Sequence, residues 1–132
     1  IVVTHSAGSR VEFINGGMPT PYLFRKESEK VSRVSAKRFE PLGASVVKQL
    51  PIPHVLELER EDVLFFCSDG FEDLVKRSIR LDLVGLLETI CRIQRGDVAG
   101  IGMKLLRTLE EKLAGTVIED DISFLVISPI EK

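Results

Sequence analysis

Several residue types that mark particular classes of protein are scarce in this sequence. It has two cysteines and two histidines in 132 residues, with no cluster of them at metal-ligand spacing, which argues against structural zinc. A single disulfide would be an unusual framework for a domain of this length, and Cys67 and Cys91 both lie in apolar stretches. We therefore expect two buried free thiols in a reducing cytosol, which predicts a cytoplasmic location.

Long apolar runs and an excess of charge of one sign are also missing. No run approaches the roughly 20 apolar residues of a membrane-spanning helix, and the N-terminus lacks the pattern of a signal peptide. Lys and Arg number 18 and Asp and Glu 20, so the net charge is -2 and the isoelectric point is near 5.8. This balance favours neither nucleic acid nor a membrane as partner of this segment, and indicates proteins or small anions instead.

The composition that remains is that of one folded domain. Hydrophobic residues make up 44% and charged residues 29%, which predicts a single core over residues 1–132 and excludes a disordered tail, a collagen and a coiled coil. The chain opens on the apolar run Ile1–His5 without an initiator methionine. Because domains usually begin with a few loosely held polar residues, we expect this chain to derive from a longer one.

Apolar patterns predict mainly strands in the first half. Strands are predicted at 1–5, 10–14, 22–25 and 31–34, followed by a half-exposed strand at 56–59 that forms a hairpin with 63–67. The segment Val63–Cys67 is apolar at every position, as expected of a central strand covered on both faces. Prolines mark the segment 40–53 as a surface excursion, with a short extended piece at Val46–Val47.

The second half predicts two helices and a last strand. Over 81–94 the apolar residues recur at helical spacing: Leu83, Leu86, Leu87, Ile90 and Ile93. Asp97 caps a second helix, which ends before Gly115 and has the following apolar face: Val98, Ile101, Leu105, Leu109 and Leu113. The segment 122–127 predicts an interior strand. Strands, two consecutive helices and a strand indicate the α+β class, with antiparallel hairpins packed under helices.

Carboxylates stand at the ends of two predicted strands. Asp69 follows one of them, where Gly70 lets the backbone turn, and Asp120 and Asp121 precede the other. If these strands are antiparallel neighbours, the carboxylates meet at one sheet edge. Three further acidic residues lie close to them in sequence, with no basic residue among the six: Glu72, Asp73 and Glu119. Such crowded like charges need a compensating cation, and oxygen ligands suit Mg²⁺, Mn²⁺ or Ca²⁺.

The same residues have a simpler interpretation. Asp and Gly are the default residues of turns, so Asp69-Gly70 also fits an ordinary turn and Asp120-Asp121 a solvated loop. The residues alone leave both interpretations open. A basic stretch likewise fits a solvated face or a docking surface for an acidic phosphoprotein; it comprises Arg25, Lys26, Lys30, Arg33, Lys37 and Arg38.

Four blocks of the sequence stand in an order that a known family shares. They are NGGMPTPYL at 15–23, PLG at 41–43, LEREDVLFFCSDGF at 58–71 and EDDISFLVI at 119–127. In these blocks the chain resembles the bacterial PP2C-like serine phosphatases of the SpoIIE and RsbU type. The last two blocks, at the right separation, carry most of the specificity of this resemblance.

The resemblance implies an α-β-β-α sandwich of antiparallel sheets. Two Mn²⁺ or Mg²⁺ ions sit at one end of the sheets in that family, bridged by a water that attacks phosphoserine or phosphothreonine, so no side chain serves as nucleophile. By this resemblance Asp69 and Asp120 are ligands of one metal, and Asp121 is a neighbouring ligand. The same resemblance implies that Gly17, Met18 and Gly70 lie near the substrate, with Met18 where the family often has His.

One family motif has no counterpart in this sequence. In the family, an Asp followed by a Gly-His-Gly segment supplies the bridging carboxylate and a carbonyl for the second metal, and it would precede Ile1. The resemblance therefore implies that the chain is the C-terminal portion of a phosphatase domain whose N-terminal part is missing. We expect this portion alone to be inactive or weak.

The resulting hypothesis is a metal-dependent protein serine/threonine phosphatase acting on a bacterial signalling phosphoprotein. The resemblance implies a phosphorylated anti-sigma-factor antagonist as substrate and leaves a homodimer open. The alternative from another class is a non-catalytic, phosphatase-derived interaction domain. An aspartyl-phosphate fold with Asp69 as nucleophile would need alternating strands and helices, which this sequence does not show.

Overall fold

The computed structural model describes residues 2–5, 9–35, 37–41, 43, 51–77 and 81–129. Its strands are β1 (Val2–His5), β2 (Arg10–Gly16), β3 (Tyr22–Arg25), β4 (Lys30–Arg33), β5 (Arg38–Phe39), β6 (His54–Glu57), β7 (Val63–Cys67) and β8 (Phe124–Ile127). Its helices are α1 (Asp69–Arg77), α2 (Leu83–Gln94) and α3 (Val98–Lys112). None of the helices in this described part has the length and apolar character needed to cross a bilayer.

The strands form two sheets. In the first sheet β2 lies between β1 and β6, antiparallel to both, and its end pairs in parallel with the short β5. In the second sheet the order is β4-β3-β7-β8, with every pair antiparallel. The prediction that Val63–Cys67 is a central strand is confirmed, because β7 pairs on both sides and all its residues are buried.

The period of two along β7 divides the apolar core into two parts. Leu64 and Phe66 face the first sheet, and the buried residues of this part are Val11, Phe13, Leu23, Val34, Leu58, Leu64 and Phe66. Val63, Phe65 and Cys67 face the helices, where they pack against apolar residues of α1, α2 and α3. The described residues therefore form three layers in the order sheet, sheet and helices. The predicted α+β class with stacked antiparallel sheets is confirmed.

The predicted hairpin of 56–59 with 63–67 is wrong. β6 pairs with β2 in the first sheet, whereas β7 lies in the second. Between them a turn takes the chain from one sheet to the other, with Glu61 at a positive φ of 66° and the Asp62 N–H donating to the Glu59 carbonyl (3.0 Å). The alternation at 56–59 reports a half-covered strand correctly, but it cannot report which strand is its neighbour.

The helix predictions hold at α2 and α3. The predicted cap of α3 is confirmed, since the Asp97 carboxylate accepts from the Ala99 N–H at 3.1 Å, and Asp82 caps α2 in the same way through Gly85. Ile93, predicted on the apolar face of α2, is 65% exposed. The expected extended piece at Val46–Val47 lies outside the described residues.

Two features near the end of the second sheet differ from the prediction. Residues 69–77 form the helix α1, whereas the sequence predicts a turn at Asp69-Gly70 and no helix in this segment. The last strand is the edge of its sheet rather than an interior strand within the described residues, and Leu125 is 45% exposed there. An apolar run of this length does not distinguish a central strand from an edge strand that packs under helices.

Asp62 tests how firmly the inter-sheet turn is held. Its side chain is 2% exposed and accepts from the N–H groups of Lys26 (2.8 Å) and Glu59 (2.9 Å) and from Arg25 Nη1 (2.7 Å). We predict that Asp62→Ala lowers the free energy of unfolding by about 3 kcal/mol, since two backbone donors lose their acceptor. Urea unfolding measures this, with the exposed Asp73→Ala as a control that changes it by less than about 0.5 kcal/mol. Equal effects of the two variants would contradict the assignment.

The two thiols predict a loss of stability at alkaline pH. Cys67 and Cys91 are free and buried, as expected from the sequence, and burial raises their pKa to about 11 and about 12. A native pKa above the unfolded value of about 8.5 stabilises the fold below that pH, and this contribution is lost as the pH rises through the native pKa. We expect the urea concentration at the unfolding midpoint to fall as the pH rises from about 8.5 to 11. We also expect neither thiol to react in the native state near pH 8. Rapid labelling of both native thiols near pH 8 would refute this.

Candidate functional site

The β7–β8 ladder brings the two carboxylate segments to one sheet edge. Its last pair joins Cys67 to Phe124, as the predicted antiparallel pairing requires. Ser68 extends the contact beyond the strands: its N–H donates to the Ser123 carbonyl at 2.9 Å, and its Oγ accepts from the Ser123 N–H at 3.1 Å. The Ser68 hydroxyl also donates to the Asp121 carbonyl at 3.2 Å. Residues 68–70 and 120–123 therefore lie side by side.

Ser68 also starts the helix that holds Asp69. Its Oγ accepts from the Phe71 N–H at 3.3 Å, and its carbonyl accepts from the Glu72 N–H at 3.1 Å, as for an N-cap residue. Phe71 and Leu74 turn one face of α1 into the core. Asp69 is thus the first residue of a helix, where its negative charge interacts favourably with the helix dipole.

Gly70 marks the closest approach of the two segments. A Cβ atom at this position would lie 2.5 Å from the Asp121 carbonyl oxygen and 3.1 Å from the Asp120 Cβ. Such distances are shorter than van der Waals contact, so only glycine lets α1 start this close to 120–121. The juxtaposition of the segments predicted from the sequence is observed. Sharing of one ion by Asp69 and Asp120 stays a prediction.

Three of the six acidic residues are neutralised by basic neighbours, so the expected rim of six uncompensated carboxylates is wrong. The ion pairs are Glu72 with Arg33 (2.5 Å) and Lys76 (3.0 Å), Asp73 with Lys76 (3.7 Å), and Glu119 with Arg77. Burial alone would raise the pKa of Glu72, but the hydrogen bonds from Lys76 and Arg33 outweigh it and lower that pKa below its ordinary value.

Asp69, Asp120 and Asp121 remain as the acidic residues of this edge without an ion pair in the described part of the chain, and all three are exposed. One oxygen of Asp69 accepts from the Gly70 N–H (3.0 Å), and one of Asp120 accepts from the Asp121 N–H (2.8 Å). Carboxylate oxygens are the donors that a hard divalent ion prefers. These residues fit such an ion in chemistry, but no three potential ligands among the described residues converge into a complete set.

The loop predicted to lie near the substrate is held close to α1. Gly17 has a φ of 86°, and a Cβ there would lie 2.8 Å from Pro41 Cγ. The Met18 carbonyl accepts from Asn15 Nδ2 at 3.0 Å. Further along, the Thr20 carbonyl accepts from Arg33 at 3.3 Å, and the same guanidinium binds Glu72 in the first turn of α1. One side chain, that of Arg33, therefore links the loop to the first turn of α1.

The basic stretch does not form a free docking surface. Arg25 pairs with Asp62, Lys30 with Glu88, and Arg33 with Glu72, while Lys26 lies near Glu29 and Glu61. Arg38 donates to the Gly17 carbonyl at 2.8 Å, and Lys37 lies over the Phe39 ring. These cations contact neighbouring residues of their own chain, which favours the solvated face over a docking surface.

A comparison with known families decides the identity of the domain. The family model for stage II sporulation protein E (SpoIIE) matches residues 1–129. The chain belongs to the SpoIIE family. The resemblance in the sequence blocks is thereby confirmed, and membership makes the chain a phosphatase-type domain.

Solved structures share the fold of this SpoIIE-family chain. The RsbU and RsbW domains of Rv1364c from Mycobacterium tuberculosis match with 21% identity and a TM-score of 0.67, over 93% of this chain and 33% of that chain. The Mn-presoaked phosphatase domain of SpoIIE from Bacillus subtilis matches with 19% identity and a TM-score of 0.59, over 96% of this chain and 54% of that chain. The SiaA-PP2C domain of Pseudomonas aeruginosa matches with 15% identity and a TM-score of 0.62, over 91% of this chain and 46% of that chain. At identities this low, the structural likeness establishes the PP2C-like fold and no more. No curated protein sequence matches the chain.

The chain is short beside these structures. It spans 33% of the M. tuberculosis chain, 46% of the P. aeruginosa chain and 54% of the B. subtilis domain. The match therefore identifies a SpoIIE-family fold of fragment size.

Sequence reasoning missed the two residues that organise the site. The sequence analysis assigns Ser68 no role, although a serine directly before an apolar-periodic segment is a typical helix cap. The spacing of Phe71, Leu74 and Val75 could have revealed α1. Arg33 had no such signal, since its partner Glu72 is 39 positions away in the sequence.

Gly70 provides a test in which two glycine-to-alanine variants should change the free energy of unfolding in opposite directions. We predict that Gly70→Ala lowers the free energy of unfolding by about 1–3 kcal/mol, because its Cβ would clash with residues 120 and 121. The control Gly102→Ala lies in α3, where the nearest atom to a new Cβ is 3.9 Å away, and should raise it by about 0.5–1 kcal/mol. Urea unfolding measures both. A stabilising Gly70→Ala would show that the two segments are not in contact.

Proposed function

We propose that this SpoIIE-family domain is part of a metal-dependent protein phosphatase that hydrolyses phosphoserine or phosphothreonine on a bacterial signalling protein. Asp69 and Asp120 are the proposed ligands of one Mn²⁺ or Mg²⁺ ion, with Asp121 beside them. The complete domain would hold two ions.

One observation carries the proposal. The start of α1 and the segment 120–121 approach so closely that a Cβ on Gly70 would meet the Asp121 carbonyl at 2.5 Å. Carboxylates on both segments are exposed and lack ion pairs among the described residues, whereas the neighbouring Glu72 and Glu119 have them. An edge at which unneutralised carboxylates gather beside neutralised ones favours a bound cation over a merely solvated loop.

The residues of this chain have separate tasks in the proposed reaction. When bound, a divalent ion offsets charge on the phosphoryl oxygens and activates water for attack. Asp69 and Asp120 would fix the position of the ion from two different elements, which Ser68 keeps in register through its hydrogen bonds to Ser123 and Asp121. No side chain of the edge needs to act as a nucleophile.

The proposed substrate is a phosphoprotein of the anti-sigma-factor-antagonist type. Support comes from the family and from the M. tuberculosis structure, which combines an RsbU and an RsbW domain. A cleft of about 290 Å³ between α1 and residues 116–120 opens beside the carboxylates and has space for residues flanking a phosphoserine. The exposed Val117 and Ile118 line it.

A non-catalytic interaction domain is the second candidate. It is favoured by the absence of a convergent set of three potential metal ligands among the described residues. Such a domain need not bind a divalent ion, so calorimetric titration with Mn²⁺ separates it from the enzyme.

We predict that the purified full-length protein dephosphorylates a phosphoserine peptide in the presence of Mn²⁺ and loses this activity with a chelator. Asp69→Asn and Asp120→Asn should each lower kcat/KM at least about 100-fold, because an amide is a weaker ligand than a carboxylate. Mn²⁺ affinity, measured by calorimetry, should fall in the same variants.

The matched control is Asp97→Asn, an exposed aspartate that caps α3 beside Gly96. Gly96 packs near Ser128, at the other end of β8 from the carboxylates, and asparagine is also a good cap. This variant should keep wild-type activity. Hydrolysis that survives both the chelator and Asp69→Asn would refute the mechanism, and absence of Mn²⁺ binding would support the interaction domain.

A further inference from the structure

The loop at 17–20 is held by side chains at every carbonyl. Gly17 accepts from Arg38 (2.8 Å), Met18 and Pro19 accept from Asn15 (3.0 and 3.3 Å), and Thr20 accepts from Arg33 (3.3 Å). Its backbone conformation therefore depends on three side chains rather than on a strand partner. Of these three donors, Arg33 is the one that also binds α1.

Arg33 is itself fixed on several sides. It stands opposite Tyr22 in the β3–β4 pair, with its guanidinium carbon 4.3 Å from the centre of the Tyr22 ring and Nη2 donating to the Tyr22 hydroxyl at 2.6 Å. The same nitrogen donates to Glu72 Oε1 at 2.5 Å, and Lys76 donates to the other oxygen of Glu72 at 3.0 Å. The planar guanidinium reaches the Thr20 carbonyl with Nη1 and both Tyr22 and Glu72 with Nη2, whereas an ammonium would have to serve all three partners from a single nitrogen.

The second partner of Arg33 lies in the first turn of α1. Glu72 follows Asp69 by three positions, so the two side chains are neighbours along the helix surface. The hydrogen bonds of Arg33 go to Thr20, Tyr22 and Glu72 and not to Asp69. The position of Asp69 is set by the helix start at Ser68. A change at Arg33 would thus displace the loop relative to α1 while leaving the Ser68-bonded edge intact.

We infer that Arg33 is a positioning residue: it fixes the loop 17–20 against the start of α1 and so places the phosphoprotein substrate over the carboxylate edge. This inference rests on the proposed function for its kinetic consequence. The hydrogen bonds by which Arg33 links the loop to α1 do not depend on the proposed function.

The test compares Arg33→Gln and Arg33→Lys with the matched control Arg92→Gln. Arg92 is a similarly exposed arginine of α2 that pairs at 3.0 Å with Glu29, in the β3–β4 turn. For Arg33→Gln we expect kcat/KM for a phosphoserine peptide to fall about 10-fold to 100-fold, as for a small misplacement of substrate. Hydrolysis of the small substrate p-nitrophenyl phosphate and the Mn²⁺ affinity should stay within threefold of wild type.

The conservative variant and the small substrate separate positioning from other roles. Arg33→Lys keeps the charge but not the fork, so it should restore less than a third of the lost peptide activity, and Arg92→Gln should lose none. Equal losses with peptide and p-nitrophenyl phosphate would indicate a general structural defect and overturn the inference. Full rescue by lysine would also overturn it, since charge alone would then suffice.

A readout independent of activity covers the case in which the proposed function fails. In a double-mutant cycle with Glu72→Gln, the coupling to Arg33→Gln should change the unfolding equilibrium at least about threefold, and the exposed pair Arg92 and Glu29 should show less. If wild-type protein has no phosphatase activity, the proposed function falls and the cycle still decides the link. Additive effects of Arg33→Gln and Glu72→Gln would overturn the inference.

Discussion

The antiparallel contact between β7 and β8 is the constraint on which the rest of the site depends. Residues that are far apart in sequence meet because the end of one strand lies beside the start of the other. Ser68 continues this contact past the strands, since its backbone and hydroxyl bind Ser123 and Asp121. The same hydroxyl starts α1. One serine thus couples the sheet, the helix that begins with Asp69 and the segment that contains Asp120.

The sequence predicted where strands and helices lie better than it predicted which strands pair with each other. Val63–Cys67 was recognisable as a central strand because every position is apolar, and Asp97 marked the start of α3 because aspartate caps helices. The pairing of β6 with β2 was not predictable, because a half-covered strand has the same alternation whichever strand lies beside it. Instead, the turn at Asp62 transfers the chain to the other sheet.

The same limit applies to the candidate site. The meeting of the two aspartate segments was predictable once the strands were taken as neighbours, and the helix at Asp69 was missed because Asp-Gly is typical of turns. The charges of the edge were misjudged for a different reason. Arg33 reaches Glu72 from another strand, and Lys76 and Arg77 reach acidic residues from the last turn of α1. Sequence order conceals Arg33 and Arg77, whose partners are 39 and 42 positions away, whereas Lys76 lies only three and four positions from Asp73 and Glu72 and was missed together with the helix.

Burial explains why the carboxylates of this molecule have such different surroundings. Asp62 is almost fully buried, and three donors compensate the loss of water around its charge. Asp69, Asp120 and Asp121 are exposed, so solvent weakens a mutual repulsion that no basic side chain among the described residues neutralises. The fold therefore tolerates exposed carboxylates at this edge without an ion pair among the described residues. A divalent ion that displaced this water would gain from charges that the fold does not use for its own stability.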